Sequence, residues 1–238
     1  MKTEKDKRRF ILSLLVVVVA ITALNVPYSR PNLDTEKQPT ESLDSLDTVA
    51  RFVRADVISP YDSIMRRVSL DYGYDWRFIS AVAYTESKFN HEAASGAGAV
   101  GLMQITPIVA ERYGVSMDSV QMNPALNIEL GVRLLAHYGD SFSFPAGMNP
   151  KDRISIVLAS YNCGIGHLFD VRRMAQNNGE DHNSWEVLQK YLRMKNDPEV
   201  YSDSTVVRCG RFEDHRQTIG FVDKVLSRYD YYCGLTEI

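Results

Sequence analysis

One acid, Glu86, stands at the end of the apolar run ISAVAYTE, and the segment after it, SKFNHEAASGAGAVGLMQITP, is rich in Ala and Gly. On a 3.6-residue wheel over residues 75–90, Glu86 falls on the stripe of Ile79, Val82 and Ala83, flanked by Trp76, Phe78 and Phe89. Arg77, Ser80, Tyr84 and Lys88 take the other side. A carboxylate turned toward apolar side chains has its charged form disfavoured, so its pKa rises. Such an acid keeps its proton near neutral pH and can donate it to a leaving group. The plainer reading is a solvated Glu on a frayed last turn, and the period argues against it.

The residues that follow supply room. Ala93, Ala94, Ser95, Gly96, Ala97, Gly98, Ala99 and Gly101 are small enough for backbone to pass close to a ligand. Leu102, Met103, Gln104 and Ile105 then offer apolar wall and one amide that both donates and accepts. Read alone, GLMQI is a buried strand or turn, Met103 is core filling, and the Ala/Gly run is a loop. A second polar pair, Tyr161 and Asn162, interrupts the apolar helix SIVLASYNCGIG. The bland reading is a helix end closed by Gly164 or Gly166. The chemical reading puts a phenol and an amide in the cleft of Glu86, with Tyr161 hydrogen-bonded to the acid and Asn162 on substrate.

The elements that must position these groups read as helices. Asp75 caps WRFISAVAYTESKF. Thr106 and Pro107 open TPIVAERYG, and Asn123 and Pro124 open ALNIELGVRLLAHYG, closed by Gly139. Asp152 starts RISIVLASYNCG. Helical periods return in HLFDVRRMAQ, SWEVLQKYL and QTIGFVDKVLSRYDYY. Alternation with period two is scarce, though VYSDSTVVRC allows a short β-hairpin. The expected fold class is all-α, predominantly helical.

The chain has 238 residues, 45% hydrophobic and 24% charged, enough for one domain with a real core. Its net charge of -3 gives no case for nucleic acid. MKTEKDKRRF is basic, and the 15 residues FILSLLVVVVAITAL that follow are almost wholly apolar. That run fits a secretory signal peptide, with Ile21 and Ala23 at the cleavage site, or an N-terminal membrane anchor over residues 10–26. Either implies export to the periplasm or cell envelope, with inner-membrane anchoring if the segment is retained. Residues 27–55 are polar and Pro-containing, a tether with a short helix expected at 48–55. The folded domain is expected over 56–238.

Export permits a disulfide, and Cys209 and Cys233 flank the last expected helix. That helix is about 23 Å long, so they meet only if residues 209–215 run back beside it. Cys163 reads as a small buried hydrophobe, with a reactive thiol as the other reading, since it is the odd third cysteine. His91, His137, His167, His182 and His215 lack ligand spacing, so no metal is expected, and no cofactor.

The segments ESKFNHEAASGAGAVGLMQITP, NIELGVRLLAHY and ASYNCGIG together resemble the catalytic domain of soluble-type lytic murein transglycosylases. The opening SPYDSIMRRVSLDYGYDWRFISAVAYTES is similar to the catalytic half of the membrane-bound type F branch of these enzymes. The resemblance spans residues 59–231. It implies a lysozyme-like helical fold. It implies cleavage between N-acetylmuramic acid and N-acetylglucosamine in peptidoglycan glycan strands, leaving 1,6-anhydromuramic ends. Glu86 then matches the family's catalytic acid and base. Ser87, Met103, Gln104, Tyr161 and Asn162 match positions lining its cleft.

Two departures stand out. Cys163 replaces an Ala. The family's Glu-Thr-x-x-Tyr-Val reads Gln217-Thr218-Ile219-Gly220-Phe221-Val222, so a hydroxyl is missing at Phe221, although the ring can still stack on a sugar. Two alternatives follow. A hydrolase like goose-type lysozyme needs a second carboxylate, from Asp118, Asp140 or Asp152. A non-catalytic peptidoglycan-binding or scaffold protein needs none.

Overall fold

A computed structural model describes residues 57–236. The expected leader or anchor, the tether and the helix at 48–55 lie outside them. Among the described residues there are ten helices and no strands, only isolated bridges that join Val100 to Ala94 and to Ile105. None of these helices is long and apolar enough to cross a membrane.

Helix α1 (Asp62–Tyr72) leads through Gly73 to α2 (Trp76–Ser87). Asp75 caps α2, its Oδ1 accepting from the Arg77 amide at 2.9 Å. Phe78, Ile79, Val82 and Ala83 are buried along α2; each larger one contributes about 1.5–3 kcal/mol of burial free energy. Thr106 and Pro107 open α3 (Pro107–Arg112), and Ser116 caps α4 (Met117–Met122). Asn123 and Pro124 open α5, as their types require (Pro124–Ser141).

Two boundaries differ from expectation. Gly139 does not close α5, which runs on to Ser141. A Cβ at Gly139 would meet Tyr74 and Val157 only at 3.9 Å, an ordinary contact, and its backbone stays helical, so the glycine neither ends the helix nor is required by the packing. Helix α6 (Pro150–Cys163) is capped by Asn149, not Asp152. Asp152 accepts from the Trp185 amide at 3.0 Å and so satisfies the start of a later helix.

Helix α7 (Ile165–Asn177) follows at once, then α8 (Trp185–Met194), the single turn α9 (Pro198–Tyr201) and α10 (His215–Thr236). No hairpin forms over 200–209. The Asp203 carboxylate and carbonyl close a local turn onto residues 205–207, and the Arg208 and Cys209 amides donate to Asp170 of α7. Those amides have no need of a partner strand. Helix α10 packs along both α2 and α6, α1 along α2 and α5, and α7 between α6 and α8.

Asp170 and Lys195 are both fully buried and face each other at 2.6 Å. Asp170 also accepts from Arg173, and Lys195 donates to Nδ1 of His167 at 2.9 Å. The Lys195 carbonyl accepts from the Phe212 amide at 3.2 Å. Residues 208–212 are therefore pinned to α7 and the end of α8, and they do not run back beside α10. For that reason the Cys209–Cys233 disulfide does not form. Both thiols are free; Cys209 Sγ lies over Gly166, where a Cβ would come within 2.2 Å of it. Cys233 sits at the other end of α10, near Tyr229 and Arg77.

Candidate active site

Glu86 occupies the last turn of α2, one residue before its C-terminus. Its side chain is half-buried and makes no hydrogen bond or ion pair among the described residues. Burial alone pushes its pKa up from the usual carboxylate range to about 8. No other acid is near enough to add to that shift. Lys88 and Phe89, just beyond the helix, both take left-handed backbone, with φ of 57° and 61°. The chain thus turns sharply away directly after the acid.

Ser87 bonds two elements of the site to each other. Its Oγ donates to the carbonyls of Ala83 at 3.1 Å and Leu102 at 3.0 Å, tying the end of α2 to the 101–104 loop. That loop is docked on α5. Asn127, 1% exposed, accepts from the Met103 amide at 2.8 Å and donates to the Val100 carbonyl at 2.9 Å. Gly101 has φ of 78°, and a Cβ there would be 2.2 Å from the Asn127 amide nitrogen. Only glycine fits such an approach. Gly131, a helical turn beyond Asn127, serves the same end, since a Cβ would come within 2.7 Å of the Met103 side chain.

The expectation that the Met103 side chain lines the cleft is therefore corrected. It is wholly buried against α5, and its contribution to the site is its backbone. Gln104, half-buried, adopts a left-handed φ of 48°. Its Nε2 donates to the Gly101 carbonyl at 3.0 Å and the Ala93 carbonyl at 3.3 Å, closing the loop. Its amide oxygen has no partner among the described residues and stays available as an acceptor.

Tyr161 does not hydrogen-bond Glu86. Its hydroxyl donates to the Met103 carbonyl at 2.6 Å, so its one proton goes to the loop. Burial raises the phenol's pKa well above the usual value, and the nearby Glu86 charge raises it further, which places the two side chains in one environment. Asn162 accepts at Oδ1 from Thr218 Oγ1 at 2.7 Å. Its amide N–H groups have no acceptor among the described residues.

Phe221 does not serve as an open sugar platform. With Thr218, Val222 and Val225 it forms the buried stripe of α10, and it is only 7% exposed. Gln217, the other departure, is exposed. Cys163 lies beside Thr218 and Lys195, and burial pushes its thiol up to about 12, so it is no nucleophile at neutral pH.

The 100–105 loop is thus bonded to α2 through Ser87 and to α6 through Tyr161, whose ring shares the surroundings of Glu86, while Asn162 is bonded to Thr218 of α10. Reading the sequence by residue type missed Asn127 and Gly131, which hold the loop in place. The available signal was an Asn on the otherwise apolar face Ile128, Leu130, Leu134 and Leu135 of a buried helix. Of the acids considered as second carboxylates, Asp152 serves the α8 start and Asp118 lies in the first turn of α4. Asp140 lies near Tyr74, on α5. No His, Cys, Asp and Glu cluster fit for a metal occurs among the described residues.

Residues 63–184 match the family model described as the transglycosylase SLT domain. The chain is 35% identical over 159 residues to a membrane-bound lytic murein transglycosylase F from Desulfosudis oleivorans, covering 67% of this chain and 33% of that one. It is 42% identical over 120 residues to a protein of the same name from Thiobacillus denitrificans, covering 50% of this chain and 24% of that one. The chain thus spans a third or less of these relatives. Its fold is similar to the 70 kDa soluble lytic transglycosylase from Escherichia coli, with a TM-score of 0.51 and 22% identity over 74% of this chain and 24% of that one.

Proposed function

This chain belongs to the transglycosylase SLT domain family, and from that premise we propose that it is a lytic murein transglycosylase with Glu86 as its single acid and base. The observation that carries the reading is the Glu86 carboxyl, half-buried, without a bonded partner and holding its proton to a pH of about 8. Such a group is protonated when substrate arrives, which a general acid requires.

The reaction runs between the muramyl and glucosaminyl residues of a peptidoglycan strand. Glu86 gives its proton to the glycosidic oxygen as the bond to the muramyl anomeric carbon breaks. The carboxylate left behind takes the proton of the muramyl 6-hydroxyl as that oxygen attacks the same carbon. A 1,6-anhydromuramic end forms, no water is added, and Glu86 is protonated again. Paired-carboxylate glycosidases need a second acid across the bond. The absence of any acid acting on Glu86 among the described residues favours the route that needs none.

Asn162 offers amide donors and Gln104 an amide oxygen to the sugar acetamido and hydroxyl groups. Tyr161, Ser87 and Asn127 are positioning residues that act through the 100–104 loop. The catalytic domain comprises residues 56–238, and exposure to peptidoglycan places it in the periplasm or cell envelope.

The test is digestion of purified peptidoglycan by the full chain, wild type beside Glu86→Gln, with products read by mass spectrometry. Anhydromuropeptides from wild type alone are expected. Products heavier by one water would make the protein a hydrolase. Retention on sacculi without soluble products would make it a binding protein.

A further inference from the structure

A cleft of about 710 Å³ opens beside α2 and α10, and Glu86 does not line it. Its size falls in the range of about 300–1,000 Å³ common to small-ligand sites. Tyr84, Lys88, Asp223, Lys224, Arg228 and Tyr231 form its walls. Three cations therefore face one acid. None of the three forms an ion pair among the described residues.

Arg228 is not a free-swinging surface charge. Its guanidinium lies 4.1 Å from the centroid of the Tyr84 ring, 5.7 Å from that of Tyr231 and 5.8 Å from that of Tyr232. Lys88 packs on the same Tyr84 ring at 4.4 Å and donates to the Tyr84 carbonyl at 3.3 Å. Its backbone is left-handed, with φ of 57°, and its stem lies back along α2. A guanidinium held in place by phenol faces loses little freedom on binding, and its planar fork suits a carboxylate. Tyr231, 55% exposed, adds a flat face for peptide or aliphatic groups.

We infer that this cleft binds a peptide bearing free carboxylates. If the proposed function holds, on which this identification rests, that peptide is the stem carried by the muramyl residue. Thr85 and Lys88, on the walls of the cleft, neighbour Glu86 in sequence, but Tyr84 and Lys88 take the other side of α2 from its stripe, so the stem of a strand cut at Glu86 has to round the end of that helix to enter the cleft. Asp223 adds an acceptor for a peptide amide or amine.

The experiment is calorimetric titration of the full chain with an isolated stem tetrapeptide, its fully amidated form and inorganic phosphate. The acidic peptide is expected to bind, and the amidated form about tenfold more weakly, as expected for losing a charge-assisted hydrogen bond. Arg228→Gln and the exposed-site variant Lys224→Gln are each expected to weaken the acidic peptide by a similar factor, with Arg228→Lys between. Thermal melting checks that each variant is folded. Equal binding of acidic and amidated peptides would overturn the inference. So would phosphate binding as tightly as the peptide, or wild-type affinity in both Gln variants. Titration needs no turnover. Peptide binding without digestion of peptidoglycan would keep the cleft and sink the transglycosylase reading. Digestion without peptide binding would do the reverse.

Discussion

Glu86 and Asp170 are two inward-facing carboxylates of the same domain with opposite surroundings. Asp170 is fully buried, yet Lys195, Arg173 and two backbone amides reach it. Burial works to raise its pKa, but the bonds from Lys195 and from the Arg208 and Cys209 amides outweigh that and hold it below the usual range. Glu86 is less buried and has no such bonds, so its pKa goes up to about 8. The number of partners, more than burial, decides whether an inward acid becomes a charged brace or a proton donor.

The comparison breaks most sharply in Glu86→Gln. Peptidoglycan cleavage should fall by about 10²- to 10⁴-fold, the usual worth of a general acid, while thermal stability is unchanged or slightly raised. A variant that loses stability along with activity would make Glu86 a structural group like Asp170. Asp170→Asn should do the opposite and cost about 3–5 kcal/mol in urea unfolding, because Lys195 is left as an unpaired buried charge. Adding Lys195→Met should return some of that loss. A cost below about 1 kcal/mol would mean that the pair behaves like one at the surface.

Acidity separates the two groups further. The native state holds a proton on Glu86 that the unfolded chain releases above the ordinary carboxylate pKa. Stability therefore falls as pH rises from about 4.5 to about 8, and Glu86→Gln should flatten that decline. Asp170 runs the other way, since its contribution is present above the unfolded carboxylate pKa and is lost as pH falls toward its depressed native value. Turnover should show a basic limb near pH 8, where Glu86 loses its proton. A pH–rate profile flat through that region would remove Glu86 as the acid.

The smallest change expected is in Thr218→Val, which deletes the bond to Asn162. It should cost about 0.5–1.5 kcal/mol in unfolding, with kcat falling more than KM changes because Asn162 loses its orientation. Unaltered kinetics would assign Thr218 to stability alone.

Much of this arrangement is local and was legible in the chain. The 3.6-residue stripe through Ile79, Val82 and Ala83 set Glu86 on an apolar face, and Asp75, Thr106 and Asn123 marked the helix starts. These depend on neighbours within a turn or two, which spacing encodes directly. Tertiary packing decided which group each polar atom bonds across long separations. Tyr161 meets the Met103 carbonyl 58 residues away, Thr218 meets Asn162 across 56, and Lys195 meets Asp170 across 25. Residue type offered Tyr161 to Glu86, the family resemblance offered Phe221 to a sugar, and export with the spacing about the last helix offered Cys209 to Cys233. Packing gave the phenol's proton to a backbone carbonyl, placed the ring on a buried stripe and held Cys209 beside α7. A side chain's chemistry is intrinsic, but its partner is whichever group the folded core places within about 3 Å, and the spacing of residues along the chain does not contain that distance.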